Sequence, residues 1–390
     1  MYRKTYMEIN LDILAKNVKN IINKYSDYKY RIAMIKSNAY THGFYIVNTL
    51  IENGINYLAV SSLDEAVEIR KYNKEIGVLC TEIIDEDLIG EAIKNNVTLT
   101  VESLDYLKLL KDKCKIHIKI NSGMNRLGCS TKEELNKMYK YISEHKNIYL
   151  EGIFTHFATP GVNDIYYDKQ LERFRNITSD IDLSKIPIVH LSSSFILLNH
   201  PKIKEANAFR IGTLLYGYDV SLDEYENNIK GKIKSLRDNY LIKKNNISPV
   251  IRGVKVDVKP CLKIKTNVMS IRDIKSGEIL GYGTHTINKD TKIAVLPIGY
   301  EDGIGSSNLL RYVVINNKKY KAIGPVCMCM MFVEIDDSVK VGDVVSILGD
   351  GITLGMISRL KHEGIQETLV SLGYRMKRVY IKNNKIVKEI

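Results

Sequence analysis

The sequence predicts an α/β protein in which an N-terminal (β/α)8 barrel of the TIM type is followed by a mainly β C-terminal domain. Three observations support this prediction. Eight short apolar runs alternate with amphipathic segments over the first 212 residues. No glycine-rich GxGxxG turn follows the first run, which argues against a dinucleotide-binding sheet. Beyond residue 262 the pattern changes to strands and turns.

The eight runs predict the barrel strands in chain order. They are RIAMIK (31–36), YLAVSS (57–62), IGVLCT (76–81), LTVES (99–103), KIHIKIN (115–121), LEGIFTHF (150–157), IPIVHLSS (186–193) and ANAFRIG (206–212). The segments between them, such as SLDEAVEIRKYN and TKEELNKMYKYISEH, repeat apolar residues at helical spacing. Strands and helices that alternate in this number favour a closed barrel over an open sheet.

The C-terminal part reads as strands joined by tight turns. The predicted strands lie in LKIKTNVMSI, KIAVLPIGY, YVVINNKKY, MMFVEID, DVVSILGD and RVYIKNNKIVKEI. The pairs Asn316-Asn317 and Asn383-Asn384 are typical of hairpin turns. We therefore predict a barrel at 1–225, a basic connector or insertion at 226–261, and a mainly β domain at 262–390.

The bulk composition limits the location and partners of the protein. With 390 residues and 45% hydrophobic side chains, the chain is long enough for two domains with buried cores. No run approaches the ~20 apolar residues that span a bilayer, and no secretory signal is evident, so we expect a cytoplasmic protein without a membrane partner. Most of the net charge of +12 lies in residues 230–265, which carry eleven basic and two acidic side chains. Without a nucleic-acid-binding motif, this segment is interpreted as a solvated, partly flexible connector, and no nucleic-acid partner is expected.

Cysteine usage indicates a reducing compartment. Six cysteines are scattered through a long chain, which fits free thiols better than a disulfide framework. Cys327 and Cys329 are close in sequence, but a lone pair of this kind is a weak metal signal. We predict that both are buried on a strand, and we predict no metal site.

Polar side chains recur where the predicted barrel strands end, which is where barrels collect their functional groups. Lys36 ends the first strand, Arg126 follows the fifth, His156 ends the sixth, Ser194 follows the seventh and Arg210 lies in the eighth. Taken singly, a strand-end lysine is usually solvated and a lone histidine is usually structural. Together they favour a site for an anionic ligand. A lysine in such a site suggests covalent attachment of a phosphorylated aldehyde.

The stretch IAMIKSNAYTHG around Lys36 resembles the lysine motif of alanine racemases. The likeness continues in the family's order through KINSGMNRLG (119–128), GIFTHFAT (152–159), FRIGTLLYG (209–217), ILGYGTHT (279–286), LPIGYEDG (296–303) and IGPVCMCMMFVEI (323–335). It spans nearly the whole chain. The resemblance implies a racemase that interconverts L- and D-alanine with pyridoxal 5'-phosphate (PLP) as cofactor and so supplies D-alanine for peptidoglycan.

The resemblance also implies roles for individual residues. The implied cofactor-binding positions are Lys36, Tyr40, His156, Ser194, Arg210, Gly212 and Thr213. Among them Lys36 binds PLP covalently, Arg210 faces the ring nitrogen with support from His156, and the others surround the phosphate. Tyr374 is given no part in phosphate binding.

The implied second base is Tyr282, which in this family reaches into the site of a partner subunit. Racemisation removes the Cα proton from one face and returns a proton to the other, so it needs two opposed bases. Lys36 and Tyr282 would supply them, and the arrangement implies a homodimer with shared active sites. The implied positions around the amino-acid substrate are Arg126, Tyr300, Met328 and Gln366.

Several positions depart from the usual family sequence. They are Asn121 and Cys329, where the family has Asp, Ser193, where it has Asn, and Gln366, where it has Tyr. An amide in place of an aromatic wall can hydrogen-bond a hydroxylated substrate, so a serine or broad-specificity racemase stays open as an alternative. Lys119 matches a lysine that is sometimes carbamylated in this family, and Asn121 beside it leaves that modification open.

Two hypotheses of other kinds are also kept. One is a non-catalytic PLP-homeostasis protein, but such proteins generally consist of the barrel alone, and the second domain with Tyr282 argues against it. The other is a related decarboxylase with a cysteine-containing second-domain site, which Cys329 keeps open. Carbon dioxide release would distinguish the decarboxylase.

Overall fold

The computed structural model describes residues 3–162, 164–308, 311–373 and 375–390. The chain forms two compact units. The barrel unit comprises residues 15–37 and 44–259, and the sheet unit comprises the residues up to 14, together with 38–43 and 260–390. The division at residues 225 and 261 stays a prediction. Among the described residues, no helix is both long and apolar enough to cross a membrane.

The first strand, β1 (Tyr6–Asn10), belongs to the sheet unit, and the next eight form a closed parallel barrel. The barrel strands are β2 (Tyr30–Met34), β3 (Tyr57–Val60), β4 (Val78–Cys80), β5 (Val97–Val101), β6 (Cys114–Lys119), β7 (Ile148–Phe154), β8 (Ile188–Ser192) and β9 (Ala208–Ile211). Pairing of β2 with β9, Tyr30 opposite Ala208, closes the ring. All eight predicted barrel strands are thus confirmed, each overlapping its sequence run.

Helices precede, connect and follow the barrel strands. They are α1 (Leu11–Lys24), α2 (Lys36–Tyr40), α3 (Val47–Glu52), α4 (Leu63–Ile69), α5 (Ile89–Lys94), α6 (Leu104–Leu109), α7 (Lys132–Glu144), α8 (Tyr166–Ile177), α9 (Ser194–Asn199) and α10 (Ile229–Asn245). Hydroxyl side chains start several of them, because they satisfy backbone N–H groups that have no helical partner. Ser62, Ser103 and Thr131 each accept such a bond at the N-terminus of α4, α6 or α7. Inside the barrel, apolar side chains from six strands form one cluster, including Ile32, Tyr57 and Phe154.

The sheet unit contains ten strands in one sheet, in the order β11-β12-β15-β14-β13-β16-β10-β1-β17-β18. The later strands are β10 (Leu262–Asn267), β11 (Ser270–Ile274), β12 (Thr291–Leu296), β13 (Tyr312–Ile315), β14 (Lys318–Ile323), β15 (Met331–Glu334), β16 (Val344–Leu348), β17 (Lys377–Lys382) and β18 (Lys385–Glu389). Two helices accompany them, α11 (Leu354–Lys361) and α12 (Ile365–Ser371). The sheet is antiparallel except that β1 runs parallel to β17.

The asparagine pairs form the predicted hairpin turns. Asn316 and Asn317 have φ of 49° and 61°, and Asn383 and Asn384 have φ of 52° and 58°, the left-handed values that a two-residue type I′ turn requires. They join β13 to β14 and β17 to β18. These turns are confirmed.

The cysteines are all free thiols in the structure. The placement predicted for Cys327 and Cys329 is wrong, however. Both are only half-buried, and they lie in the turn between β14 and β15 and not on a strand. Gly324 and Pro325 end β14 before the two cysteines, because proline has no backbone N–H to add to a strand ladder.

Candidate active site

Lys36 follows β2 and opens α2, a segment with left-handed backbone. The φ angles from Ser37 to Thr41 lie between 49° and 71°, and none of these five residues is a glycine. Left-handed helical backbone costs roughly 1–2 kcal/mol per non-glycine residue. Strain of this kind persists only where surrounding contacts determine the conformation, and it concentrates at functional sites.

Contacts within the sheet unit hold the left-handed turn. Thr41 Oγ1 donates a hydrogen bond to the Leu372 carbonyl at 2.7 Å, and Arg378 Nε donates to the Thr41 carbonyl at 2.6 Å. The buried Tyr380 hydroxyl donates to the His42 carbonyl at 2.9 Å. The end of the left-handed turn, at Thr41 and His42, is therefore fixed by residues more than 300 positions away in the sequence. Tyr40, in the same turn, is largely buried, which raises the pKa of its hydroxyl.

Four basic side chains lie at or after the C-terminal ends of β2, β6 and β9, and the charges of three of them act on the fourth, Lys119. We call them the cationic cluster: Lys36, Lys119, Arg126 and Arg210. Lys119 Nζ and Arg210 Cζ lie 5.7 Å and 5.5 Å from the centre of the same ring, that of Phe154. Burial, together with the charges of the other three members, lowers the pKa of Lys119 to about 8. Such a concentration of positive charge favours an anionic ligand.

His156 lies beside the cationic cluster and is neutral. Burial is the largest cause that lowers its pKa to about 3, and the charges of Arg210, Arg126, Lys119 and Lys36 lower it further. The ring receives a hydrogen bond at Nδ1 from Arg210 Nη2 at 3.3 Å. A neutral ring at this position can accept from the guanidinium, as the predicted supporting role requires.

Arg210 is almost fully buried, with 5% of its surface exposed. Its Nη2 donates to the Thr155 carbonyl at 2.7 Å, and its Nη1 donates to His190 Nδ1 at 2.9 Å and to the His190 carbonyl. Burial lowers the pKa of Arg210 to about 10, which still leaves it charged at neutral pH. Among the described residues no carboxylate pairs with it directly. The guanidinium is thus oriented by neutral acceptors.

A row of hydrogen-bonding groups crosses the barrel interior from Arg210. His190 Nε2 lies 2.8 Å from His117 Nδ1. His117 Nε2 lies 3.4 Å from Glu151 Oε2, a close polar contact whose geometry is not that of a hydrogen bond. His117 and His190 have no exposed surface, and burial lowers the pKa of both. We call Arg210, His190, His117 and Glu151 the histidine chain.

The donor and acceptor rules fix the protons along the histidine chain. Arg210 can only donate, so His190 Nδ1 must accept and the His190 proton must be on Nε2. His117 Nδ1 then accepts from His190, which puts the His117 proton on Nε2, facing the Glu151 carboxylate. Both imidazoles must be neutral, since a proton on His117 Nδ1 would meet the N–H of His190. A positive and a negative charge are therefore connected through two neutral rings in fixed tautomers.

Glu151 is an ionised carboxylate at the far end of the histidine chain. Burial by itself would raise its pKa, but the nearby His117 ring, the hydrogen bond from Tyr57 and the charge of Lys115 lower the pKa to about 2. The Tyr57 and Thr98 hydroxyls donate to Glu151 Oε2 at 2.5 Å and 3.0 Å, and Lys115 Nζ lies 3.5 Å from Oε1. The carboxylate is satisfied without solvent.

Three of the four residues predicted to surround the phosphate follow the adjacent strands β8 and β9 of the barrel unit. Ser194 begins α9, while Gly212 and Thr213 follow β9, and all three are buried. The Gly212 N–H donates to Ser194 Oγ at 3.1 Å. Because Ser194 Oγ is the acceptor in that bond, its own hydrogen can be donated to a further oxygen.

Three predicted residues of the sheet unit also come together. The N–H of Tyr300 donates to the Cys327 carbonyl at 3.1 Å, and the N–H of the next residue donates to the Met328 carbonyl at 3.1 Å. Gly299 permits this approach, since a Cβ there would lie 2.2 Å from the Cys327 carbonyl oxygen. Tyr282 and Met328 line an open cavity of about 350 Å³. Tyr282, Met328 and Tyr300 are 75%, 53% and 43% exposed.

The remaining sheet-unit positions differ in their surroundings. Cys329 lines the same cavity and accepts a hydrogen bond at Sγ from Arg375 Nη1 at 3.2 Å, while Arg375 also pairs with Glu301. Gln366 is exposed in the first turn of α12, and no hydrogen bond or cavity among the described residues connects it to Tyr282. Tyr374 lies outside the described residues.

The histidine chain was missed by reasoning from the sequence. A partial signal was present, because His117 and Lys119 are two residues apart on one strand and so face the same side. Histidine in an otherwise apolar strand, as in IPIVHLSS, is a second such signal. Neither shows which residue is the partner, since the contacts join positions up to 73 residues apart.

Known protein families and relatives match this chain over almost its full length. The alanine racemase N-terminal domain matches residues 9–220, and the alanine racemase C-terminal domain matches residues 261–380. An alanine racemase of Clostridium novyi (strain NT) is 33% identical over 408 residues, covering 99% of this chain and 97% of that protein. An alanine racemase of Halalkalibacterium halodurans is 29% identical over 404 residues, with the same coverage of both proteins. The solved structure of the alanine racemase of Clostridium difficile 630 superposes with a TM-score of 0.85 at 28% identity, covering 100% of this chain and 99% of that chain.

Proposed function

This chain belongs to the alanine racemase family and is an amino-acid racemase, and from this premise we propose that it interconverts L- and D-alanine with PLP as cofactor. The observation that carries the proposal is the cationic cluster: Lys119 and Arg210 lie over the same Phe154 ring inside the barrel, and Lys36 and Arg126 are near enough for their charges to act on Lys119 and His156. An amine among fixed positive charges suits an aldehyde that carries a phosphate.

The residues present fit this cofactor. Lys36 would hold its aldehyde carbon, and Ser194, Gly212 and Thr213 with Tyr40 would surround its phosphate. Arg210 would face its ring nitrogen, in keeping with the buried guanidinium that donates and cannot accept. PLP, when bound, withdraws electrons from the substrate's Cα and so makes the Cα proton acidic.

Two side chains would then move protons at Cα. The Lys36 amine takes or returns the proton on one face, and the Tyr282 hydroxyl does so on the other. For each enantiomer, one of the two side chains accepts the Cα proton and the other donates a proton to the opposite face. Tyr282 has the exposure that this role needs, at 75%.

Arg210 and the histidine chain would control the ring nitrogen. A guanidinium that stays charged and can only donate would keep that nitrogen without a proton, and so would favour return of the proton to Cα over side reactions. His190 and His117 would keep the guanidinium oriented, since their tautomers permit only one direction of hydrogen bonding.

The substrate carboxylate would lie near Arg126, Met328 and Tyr300. We further propose a cytoplasmic homodimer in which the Tyr282 face of one subunit completes the barrel site of the other. The exposure of Tyr282, Met328 and Tyr300 supports this, because large apolar or aromatic side chains around an open cavity are typical of an interface. The D-alanine formed would supply peptidoglycan.

A serine or broad-specificity racemase is the second candidate. Two observations favour it: Gln366 presents an exposed amide where the family has a tyrosine, and Cys329 presents a thiol bound by Arg375 where the family has a carboxylate. Both residues would change the polarity of the surface that contacts the substrate side chain.

Chiral analysis of products from a panel of L-amino acids tests the proposal. We expect D-alanine to form fastest, with D-serine as the next product, and no carbon dioxide release. Faster formation of D-serine would make the serine racemase the correct assignment. Absence of any D-amino acid from PLP-loaded protein would overturn the proposed function.

A further inference from the structure

Helix α10 (Ile229–Asn245) carries a row of apolar side chains that face solvent. Ile229, Ile233, Leu236 and Tyr240 are 77%, 61%, 71% and 62% exposed. Their spacing of four, three and four residues places them within about 60° of one another around the helix axis. We call these four residues the apolar stripe. A helix normally turns such a stripe toward the core of its own domain.

The opposite face of α10 is the one that packs on the barrel unit. Asp238 is 3% exposed, accepts a hydrogen bond from the Tyr225 hydroxyl at 2.9 Å and pairs with Arg252 at 3.4 Å. Gly231 lies so close to the preceding loop that a Cβ there would be 1.9 Å from the Glu226 carbonyl oxygen. Buried and specific contacts therefore fix the rotation of the helix, and they hold the apolar stripe outward.

Basic side chains flank the apolar stripe on both sides. Around the helix axis, Lys232 and Lys243 lie on one side of it, and Arg237 and Lys244 lie on the other. All four are exposed. The one acidic residue in the sequence of α10, Asp238, is buried on the opposite face. The outward surface is consequently an apolar strip between two positive rows.

We propose that α10 is an interfacial helix that binds an anionic lipid surface, with the apolar stripe among the acyl chains and the flanking cations at the phosphate headgroups. Positive rows on both sides of the stripe suit a planar anionic surface, because both rows reach it at the same depth. A second copy of this chain is a poor occupant, since pairing two such helices would bring like charges together. The expectation of no membrane partner considered only segments that span a bilayer. An interfacial helix binds a membrane without such a segment, so the proposal replaces that expectation.

A tryptophan reporter tests the proposal directly. The chain has no tryptophan, so Leu236→Trp introduces a single fluorophore in the apolar stripe. With vesicles of equal parts phosphatidylglycerol and phosphatidylcholine, we expect its emission to move to shorter wavelength as the ring leaves water. The shift should persist at about 0.5 M salt, where the Debye length falls to ~4 Å and simple adsorption of a basic protein is weakened. Pure phosphatidylcholine vesicles should give no shift.

A matched control separates insertion from general adsorption. Ile386 on β18 is as exposed as Ile233, at 61%, so Ile386→Trp reports a similar side chain away from α10. Its emission should not move with either vesicle. In sedimentation with anionic vesicles, Leu236→Ser should weaken binding by about tenfold, and Lys232→Gln and Lys243→Gln by about fivefold each. Racemase activity in solution should stay at the level of the unchanged chain in all these variants.

Four results would overturn the proposal. The first is an equal shift with phosphatidylcholine alone, and the second is an equal shift of the Ile386→Trp emission. The third is a shift without vesicles that grows with protein concentration, which would assign the stripe to a second copy. The fourth is a shift with polyglutamate but not with anionic vesicles, which would assign it to an acidic protein.

Discussion

The candidate residues of the barrel unit and those of the sheet unit have opposite surroundings. Arg210 and Ser194 are buried and hydrogen-bonded, whereas Tyr282 and Met328 are more than half exposed around an open cavity. Residues that are buried and already hydrogen-bonded hold their positions before any ligand binds, which suits a cofactor that stays bound. An exposed side can exclude water only when another surface covers it. The difference explains why the proposed mechanism needs both a fixed barrel site and a second subunit.

Of the proposed substitutions, replacement of Lys36 should have the largest effect, and it tests the candidate site of the barrel unit. Lys36→Ala should lower racemase turnover by at least about 10⁴-fold, because one residue supplies both the covalent link and a base. The visible absorbance of lysine-bound cofactor should also disappear from the purified protein. Lys74→Ala, a change at an exposed lysine outside the cationic cluster, is the control. Retained absorbance and turnover in Lys36→Ala would remove the central assignment.

Replacement of Tyr282 tests the exposed side. Tyr282→Phe should lower kcat by about 10³-fold while cofactor absorbance stays unchanged, since only one of two bases is lost. Exchange of the Cα hydrogen with deuterated solvent should survive for the enantiomer whose proton faces Lys36 and fall for the other. Equal loss for both enantiomers would contradict the two-base assignment. No exchange even in the unchanged protein would favour the PLP carrier.

Replacement of Glu151 tests whether the candidate site of the barrel unit depends on the charge of this buried carboxylate. Glu151→Gln should lower kcat by about tenfold, through less precise orientation of Arg210, with little change in KM. The pKa of Glu151 is lowered from 4.5 to about 2, so its ionised form stabilises the fold above pH 4.5 and that stabilisation is lost as the pH falls toward 2. The full amount is about 3 kcal/mol.

Denaturant unfolding measures this dependence. The difference in the free energy of unfolding between the unchanged protein and Glu151→Gln should shrink steadily between pH 4.5 and pH 2. A difference that stays constant over this range would contradict the assignment of an ionised Glu151. Histidine ring ¹⁵N shifts give a second readout, because they should show neutral Nε2–H tautomers for His117 and His190.

The smallest expected effect concerns substrate choice at Gln366. Gln366→Tyr restores the family's residue, so the ratio of alanine to serine turnover should rise by about tenfold or less. Competition between the two L-amino acids, followed by chiral analysis, measures that ratio. An unchanged ratio would show that this exposed residue does not contact the substrate side chain. Glu367→Gln, at the next position, controls for a change in the stability of α12.

Local patterns in the sequence predicted the barrel, because the spacing of apolar residues along the chain differs between strands and helices. The hairpin turns at Asn316 and Asn383 were predictable for the same reason. Strand β1 was missed, since it is defined by pairing with β10 and β17, more than 250 residues away. The histidine chain was missed because its tautomers depend on neighbours from four strands. The resemblance located Lys36, Arg210 and Tyr282, but not the environments that make one side buried and the other exposed.

The left-handed turn after Lys36 sets an order of events during biosynthesis. Its contacts with Leu372, Arg378 and Tyr380 span 331 to 338 residues. A ribosome that has delivered all the barrel strands has therefore not yet delivered the groups that bind Thr41 and His42. This turn can therefore reach its native contacts only after residues 372–380 have been synthesised.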